Sequence, residues 1–288
     1  MSRRPVSKTV RIGDDDLYVH HWNAVKDETS TTKAAVVVIF HGFLAHGLYP
    51  TVRYAAETLA GAGLQVIAAD YPGHGQSPGL RSYLPSTDDV LKIGVAMVQY
   101  AKSKGSQVFL VGSSMGGAIA LSVAHKMPGE VAGVVMLAPM LKLSVSTVER
   151  YLLSMASMIV PTMQLIPSSA SSTKDQCRDP AKCKACEEDP LVTKGQKIRV
   201  GSAATLVDIT DKLRAEFRDI NVPFLILLAD EDVVVDPQGA LDLYEEAGSE
   251  DKSLKRYPAL HAMLCEPSPL ADQIKNDLLE WVRTRASL

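Results

Sequence analysis

Residues 112–116 read GSSMG and have the spacing of a reactive serine on a sharp turn. Glycines flank Ser114 on both sides, whereas Ser113 has Val111 and Met115 at the corresponding positions. Such a turn holds its central residue in a strained backbone conformation at a helix start, where N–H groups favour a developing negative charge. The spacing therefore selects Ser114 as a candidate nucleophile. The alternative is a serine that only caps a helix in a tight loop.

A serine hydroxyl needs a base, and the base needs a carboxylate to orient it. His261 is the only histidine in the second half of the chain and follows a predicted strand. Of the acidic residues after the preceding strand, Asp230 is close to the strand end and Asp236 precedes a proline, as helix-capping residues do. The order of the residues therefore predicts Ser114 with Asp232 as the acid and His261 as the base. The alternative for His261 is an ordinary surface histidine.

The HGF sequence at 41–43 comes directly after a predicted buried strand. Its loop can present the backbone N–H of Phe43 opposite that of Met115, which predicts an oxyanion hole. The alternative for this loop is simple turn chemistry. The GHGQS sequence at 73–77 is interpreted as a structural loop without a catalytic histidine.

Strand-length apolar runs alternate with helical patterns along most of the chain, which favours a mostly parallel central sheet flanked by helices. Two strands at the N-terminus resemble a hairpin, and the alternation stops after Pro139 and resumes at Val222. Between these points the pattern is helical and amphipathic. The sequence therefore predicts one α/β core, formed by residues 1–140 and 219–288, with a helical cap inserted at 141–218.

The bulk composition narrows the class of protein further. The chain has 288 residues, a net charge of −3 and no basic excess, so it predicts no nucleic-acid partner. No metal ligand set or cofactor motif is expected. Three of the four cysteines lie in CRDPAKCKAC at 177–186, without the fourth ligand that structural zinc sites need. We interpret these three as reduced surface thiols, with a disulfide or redox-sensitive pair as the alternative.

The N-terminal segment has two arginines but no apolar run behind them, which is not typical of a secretory signal. The most apolar long segment, at 151–167, is interrupted by Pro161. Its uninterrupted part is shorter than the ~20 residues that a membrane span requires. The sequence therefore predicts a soluble, cytoplasmic protein.

Longer stretches around these residues resemble the α/β-hydrolase superfamily and, within it, the monoacylglycerol lipase-like family (serine aminopeptidase S33, Hydrolase_4). The resemblance covers nearly the whole chain, from LYVHHW to WVRTR. Its most specific part is GHGQSPG together with GSSMGGAIA. Further matching stretches are HGFLAHGLY, VPFLILLADEDVVVDPQGA and KRYPALHAMLCEP.

The resemblance implies an α/β-hydrolase fold and an ester hydrolase whose nucleophile, acid and base are Ser114, Asp232 and His261. It implies that Phe43 and Met115 supply the oxyanion hole. It also implies that residues 141–218 are a helical cap over an acyl-binding tunnel. We further expect the apolar cap to contact a membrane surface peripherally. The residues that we assign to substrate binding in the cap are Leu152, Met155, Met158 and Ile159. About half of this apolar stripe can instead be the cap's own packing core.

The loop after the first buried strand departs from the family pattern. Many relatives have an acidic residue directly before the second histidine of this loop, and here the position is Ala45, followed by His46. His41, His46 and Arg53 are candidates for binding the substrate's head group. The expected substrate is a monoacylated lipid ester, with a lysophospholipase or a broad carboxylesterase as alternatives. A ligand-binding protein that has lost turnover is the alternative from another class.

Overall fold

The computed structural model describes residues 4–23, 35–167, 175–192 and 197–286. Part of the serine-rich stretch of the insertion, residues 168–174, lies outside this described part. Within the described ranges, no helix has the length and apolar character needed to cross a membrane.

An eight-stranded sheet forms the centre of the molecule, and the strand pattern of the sequence is confirmed. In chain order its strands are β1 (Val6–Ile12), β2 (Asp15–Trp22), β3 (Val36–Phe40), β4 (Gln65–Ala69), β5 (Val108–Ser113), β6 (Gly133–Leu137), β9 (Phe224–Ala229) and β10 (Lys252–Tyr257). Every residue of β3, β6 and β9 is buried. Continuous burial of both faces explains why these strands are uniformly apolar rather than alternating.

The strand order is β1-β2-β4-β3-β5-β6-β9-β10, and the pairs from β4 through β3, β5, β6 and β9 to β10 are all parallel. Only β2 of the sheet runs opposite to the other strands; it pairs antiparallel with β1, as the predicted hairpin at the sheet edge, and with β4. The parallel strands therefore end at one edge of the sheet. The loops after β3, β5, β9 and β10 all leave from that edge, which is where open α/β sheets hold their active sites.

Helices cover both faces of the sheet. They are α1 (Pro50–Gly61), α2 (Thr87–Lys102), α3 (Met115–Lys126), α7 (Gln238–Glu246) and α8 (Leu270–Arg285). One apolar cluster packs α2 and α3 on the first face, and a second packs α1 and α8 on the other. Helix α3 is buried over its first ten residues because it follows the central strand β5. A deeply buried helix of this kind provides a rigid support for the turn that precedes it.

The segment between β6 and β9 contains three helices, α4 (Thr147–Ile159), α5 (Pro180–Glu187) and α6 (Val200–Ala215). It also contains a small antiparallel ribbon of β7 (Gln164–Pro167) and β8 (Lys197–Arg199), which the sequence patterns did not predict. We call residues 141–218 the insertion. Helix α6 packs against α3 and α4, whereas α4 has no buried residue.

The cysteines of the insertion correct the sequence interpretation. Cys177 and Cys183 form a disulfide, and both Cys177 and Cys186 are buried rather than exposed thiols. Cys186 lies 3.9 Å, Sγ to Sγ, from the buried Cys265 of the core. The polar composition of the segment suggested a solvated loop, but the segment packs against the core instead. Among the described residues no cluster of His, Cys, Asp and Glu could hold a metal ion.

Candidate active site

Ser114 lies at the turn between β5 and α3 and has a φ of 57° and a ψ of −124°. This left-handed φ is uncommon for a residue with a side chain, and such strain concentrates at functional sites. The N–H of Ser114 donates to the carbonyl of Leu137 at 3.1 Å, and its own carbonyl accepts from Gly117 at 2.9 Å. Neighbouring chain segments thus fix the strained conformation from both sides.

The two glycines around Ser114 are required by close backbone contacts. A Cβ at Gly112 would lie 2.1 Å from the carbonyl oxygen of Gly116. A Cβ at Gly116 would lie 2.0 Å from the carbonyl oxygen of Phe40, at the end of the neighbouring strand. Any side chain at either position would force the turn open, so the spacing seen in the sequence has a direct steric cause.

His261 and Asp232 are hydrogen-bonded after the ends of β10 and β9. The Nδ1 of His261 lies 2.6 Å from Asp232 Oδ2, and the Asp232 side chain is 1% exposed. The other oxygen of Asp232, Oδ1, accepts the N–H groups of Val234 at 2.8 Å and Val235 at 3.1 Å. A carboxylate with both oxygens occupied in this way has a fixed orientation and fixes the imidazole in turn.

The neighbouring acidic residues face other partners. Asp230 pairs with Arg256 at 2.8 Å. Asp236 accepts the N–H of Gln238 at 2.9 Å at the start of α7. Glu231 pairs with a cation of the insertion. Asp232 is therefore the acid that the structure brings to His261, as the residue order predicts.

Phe43 and Met115 come from loops that leave adjacent parallel strands, since Phe40 of β3 is in register with Gly112 of β5. Met115 is the first residue of α3, so its N–H belongs to the turn whose donors have no partner inside the helix. Phe43 lines the same cavity as Ser114. A Cβ at Gly42 would lie 3.4 Å from the Cβ of Ser114, so the loop that carries Phe43 reaches the serine, as an oxyanion hole formed with Met115 requires.

A cavity of about 970 Å³ opens onto Ser114 and His261. Its volume is at the upper end of the range for sites that bind small molecules. Much of its wall is apolar and comes from the insertion. These residues are Leu143, Val145, Leu152, Leu153, Ala156, Ile166, Pro167, Val192, Ile198, Ala203, Leu206 and Val207.

Neutral polar residues also line this cavity. Tyr49 and Thr51 come from the start of α1, and Gln176 comes from the insertion. The carbonyl of Gln176 accepts the N–H of Ala262, directly after His261, at 2.8 Å. Sequence reasoning missed all three. The only available signal was that Tyr49 and Thr51 flank the proline that begins α1.

His41 lies outside the lining of this cavity. It is fully buried, its Nδ1 donates to the carbonyl of Gly42 at 2.8 Å, and its Nε2 accepts the N–H of Tyr71 at 3.1 Å. Both ring nitrogens are therefore committed to the backbone. Burial, with a smaller contribution from neighbouring His74, lowers the pKa of His41 to about 3, so the ring is neutral at physiological pH. His41 therefore has a structural role, because its hydrogen bonds join the loops after β3 and β4.

His46 and Arg53 also lie outside the lining. His46 accepts the N–H of Leu48 at Nδ1, 3.2 Å away, and so donates from Nε2 to Asp189 Oδ2 at 3.0 Å. Asp189 belongs to the insertion, so this bond joins the insertion to the loop after β3. Arg53 pairs with Glu57 at 3.7 Å along α1. Ala45, in contrast, does line the cavity.

The apolar residues of α4 divide between the cavity and solvent. Leu152 and Leu153 line the cavity, and Leu153 also packs against the core. Met155, Met158 and Ile159 are not among the lining residues, and their side chains face outward. The exposed large apolar residues of α4 are Val148, Tyr151, Leu152, Met155, Met158 and Ile159.

Comparison with known proteins gives matches along nearly the whole chain. The family model described as Hydrolase_4, serine aminopeptidase S33, matches residues 31–268. The monoglyceride lipase of Homo sapiens is 31% identical over 281 residues, which are 94% of this chain and 88% of that protein. The monoacylglycerol lipase of Mycolicibacterium smegmatis is 28% identical, with 88% of this chain and 89% of that protein covered.

A solved structure is similar over the same length. The crystal structure of the Paleococcus ferrophilus monoacylglycerol lipase superimposes with a TM-score of 0.80 at 28% identity. The superposition covers 93% of this chain and 99% of that chain. The similarity therefore extends over the sheet, the helices around it and most of the insertion.

Proposed function

The chain belongs to the Hydrolase_4 (serine aminopeptidase, S33) family, and we propose from that premise that it is a serine esterase that hydrolyses monoacylglycerols. The chain is similar to monoglyceride lipases over most of its length, which supports an ester hydrolase with the α/β-hydrolase fold. The substrate assignment rests on one observation, the large and mostly apolar cavity that opens onto Ser114, the serine with the strained backbone.

In the proposed reaction Ser114 is the nucleophile, and His261 is the base. The Nδ1 of His261 donates to Asp232, which leaves Nε2 free of its proton and able to accept the Ser114 proton. Ser114 Oγ attacks the ester carbonyl, and the N–H groups of Phe43 and Met115 hold the oxyanion. His261 returns the proton to the departing alcohol, and water activated by the same ring then releases the fatty acid.

The acyl chain occupies the apolar part of the cavity in this proposal. Burying each methylene of the chain contributes roughly 0.8 kcal/mol, so a long acyl chain gains more from this cavity than an acetyl group does. The insertion supplies most of the apolar wall, which supports its role as a cap over the acyl site.

The alcohol part of the ester lies on the side of Tyr49, Thr51 and Gln176 in this proposal. These side chains are neutral and match the hydroxyls of a glycerol group. A phosphocholine group at this place would have to give up the hydration of two charges without a charged partner among these three residues. The charged residues that also line the cavity include Lys142 and Asp236, which pair with each other at 3.0 Å, and Glu149, which accepts the N–H of Ser146 at 2.8 Å. With these charges already paired or hydrogen-bonded, the glycerol ester is favoured over a lysophospholipid.

We expect kcat/KM for monooleoylglycerol to exceed that for lysophosphatidylcholine and for p-nitrophenyl acetate by at least about tenfold each. The first difference reflects desolvation of the charged head group and the second reflects the loss of acyl-chain burial. All three esters are assayed side by side in the same detergent. A preference for lysophosphatidylcholine would replace the monoacylglycerol assignment by the lysophospholipase alternative, and a preference for the acetate by a broad carboxylesterase.

We also propose that α4 contacts a membrane surface, from which the substrate enters the cavity. The helix has no buried residue, and its apolar side chains face solvent beside Leu152 on the cavity wall. Ser146 and Glu149 form a capping box that stabilises the start of this exposed helix. An apolar helix face next to a site for an apolar substrate is the surface that a lipid bilayer would cover.

Ile159→Asp is expected to weaken binding to phosphatidylcholine vesicles by about tenfold or more. Ile159 is 77% exposed, so the change leaves the core intact and removes an apolar side chain that the bilayer would bury. Vesicle co-sedimentation measures the effect. Val6→Asp is the control, because Val6 is 57% exposed but lies on β1, outside the insertion. Equal vesicle binding by both variants and the wild type would show that α4 does not contact the membrane.

The cytoplasmic location stays a prediction from the sequence. The Cys177–Cys183 disulfide argues against that prediction, because disulfides persist mainly in oxidising compartments and are rare in the cytosol.

A further inference from the structure

We propose that Arg178, in the insertion, is a positioning residue that holds the loop of the catalytic histidine. This inference rests on the proposed function, because it concerns the placement of His261 against Ser114. The side chain of Arg178 joins the insertion to three groups of the core, one in the loop after β9 and two in the loop after β10. These are the loops that carry Asp232 and His261.

A buried carboxylate organises the histidine loop from inside. Glu266 is 0% exposed, and its Oε1 accepts the N–H of Leu260, the residue directly before His261, at 2.6 Å. This bond closes the loop of residues 260–266 on itself. The position of the imidazole therefore depends on where the Glu266 carboxylate lies.

Arg178 is the cation that the structure places on this carboxylate. Its Nη1 lies 3.3 Å from Glu266 Oε2 and donates to the carbonyl of Pro258 at 2.7 Å. Its Nη2 donates to Glu231 Oε2 at 2.5 Å, next to Asp232. A planar guanidinium can make these contacts together because its donors point in fixed, divergent directions.

Other residues of the insertion also form hydrogen bonds with the loop of residues 260–266. Besides the bond from Ala262 to Gln176, the N–H of Asp179 donates to the carbonyl of Cys265 at 3.2 Å. Lys182 donates to the carbonyl of Glu266 at 2.6 Å. The Cys177–Cys183 disulfide closes the segment that carries Arg178 into a ring, so that the guanidinium is presented from a constrained backbone.

Loss of Arg178 leaves Glu266 buried without this cation, so the loop must admit water or move the carboxylate. Either response shifts Leu260 and with it His261, while the cavity wall that binds the acyl chain stays in place. A displacement of about 1 Å at a catalytic group can cost on the order of a hundredfold in rate. The inference therefore predicts a loss in kcat and little change in KM.

The test compares Arg178→Ala with wild type in steady-state hydrolysis of monooleoylglycerol. We expect kcat to fall by roughly ten- to a hundredfold, with KM changed less than about twofold. Arg178→Lys is expected to recover part of the lost kcat, since lysine keeps the positive charge but lacks the divergent N–H donors of the guanidinium group. Lys184→Ala is the matched control, because it removes one positive charge from the same segment at a side chain that is 70% exposed and whose one ion pair among the described residues is with Glu188.

A second variant separates positioning from general stability. Glu266→Gln keeps an acceptor for the Leu260 N–H but removes the buried charge, so Arg178→Ala combined with Glu266→Gln should be at least as active as Arg178→Ala alone. An Arg178→Ala kcat within twofold of wild type would overturn the inference. So would a lowered melting temperature with unchanged kcat, since it would reveal a structural role only.

The proposed function is checked in the same preparations with a fluorophosphonate probe. Unlabelled wild-type protein would overturn the proposed function and this inference with it. Labelled wild type together with an unchanged Arg178→Ala kcat would overturn this inference alone.

Discussion

Replacing Ser114 by alanine is expected to lower kcat for monooleoylglycerol by at least about 10⁴-fold and to abolish labelling by a fluorophosphonate probe. Without the hydroxyl no acyl-enzyme can form, and any remaining rate comes from binding and the oxyanion donors. The variant should fold normally, because alanine tolerates the left-handed backbone of residue 114 about as well as serine does. Steady-state kinetics, intact mass after labelling, and thermal unfolding measure the three effects.

Ser113→Ala is the matched control for this experiment. It removes the same hydroxyl one position earlier, from the last residue of β5. We expect it to keep the fluorophosphonate label and to change kcat by less than about tenfold. Labelling that survives in Ser114→Ala, or that disappears in Ser113→Ala, would move the nucleophile away from Ser114.

The second large effect is expected for Asp232→Asn, which should lower kcat by about 10⁴-fold with little effect on KM. The reason lies in the two N–H groups of Val234 and Val235, which occupy Oδ1. An asparagine must keep its oxygen on that side, so its NH₂ group faces His261. The Nδ1 of His261 then has to accept, the proton moves to Nε2, and the ring can no longer take the proton of Ser114.

Asp230→Asn is the control for this prediction. Asp230 lies two residues earlier, and its partner is Arg256 rather than the histidine. We expect kcat to stay within about threefold of wild type, since a partly exposed ion pair contributes little. Steady-state kinetics of both variants give the comparison, and an Asp232→Asn enzyme within tenfold of wild type would exclude this carboxylate as the orienting acid.

The parts of the fold that follow local rules could be predicted from sequence. The strands β3, β6 and β9 are uniformly apolar because both of their faces are buried, and this pattern is visible without coordinates. The glycines around Ser114 are visible from their spacing alone, although only the contact at Gly112 lies within the turn and the one at Gly116 involves the carbonyl of Phe40 in the neighbouring strand. Chain order then supplied Asp232 and His261, since both follow strands that end at one edge.

The insertion could not be predicted to the same depth, because its interactions are long-range. The contact of Arg178 with Glu266 spans 88 positions, and that of His46 with Asp189 spans 143. Nothing local marks Arg178, which lies in a polar stretch typical of solvated loops. The same composition produced the wrong interpretation of the cysteines, of which Cys177 and Cys186 are buried. The ribbon of β7 and β8 is too short for a periodic signal.

The pairing of β6 with β9 has a consequence for how such a protein can change. These strands are neighbours in the sheet, with Val134 in register with Phe224. The chain therefore leaves β6 at one edge of the sheet and returns into the neighbouring strand at the opposite edge, and no strand of the insertion lies between the two in the sheet. If the insertion forms the acyl site as proposed, acyl-chain selectivity can diverge by changes in the insertion while the strand order of the sheet is kept. An exchanged insertion must still pack against α3, and it must bring a cation for Glu266 unless that residue of the core becomes neutral as well.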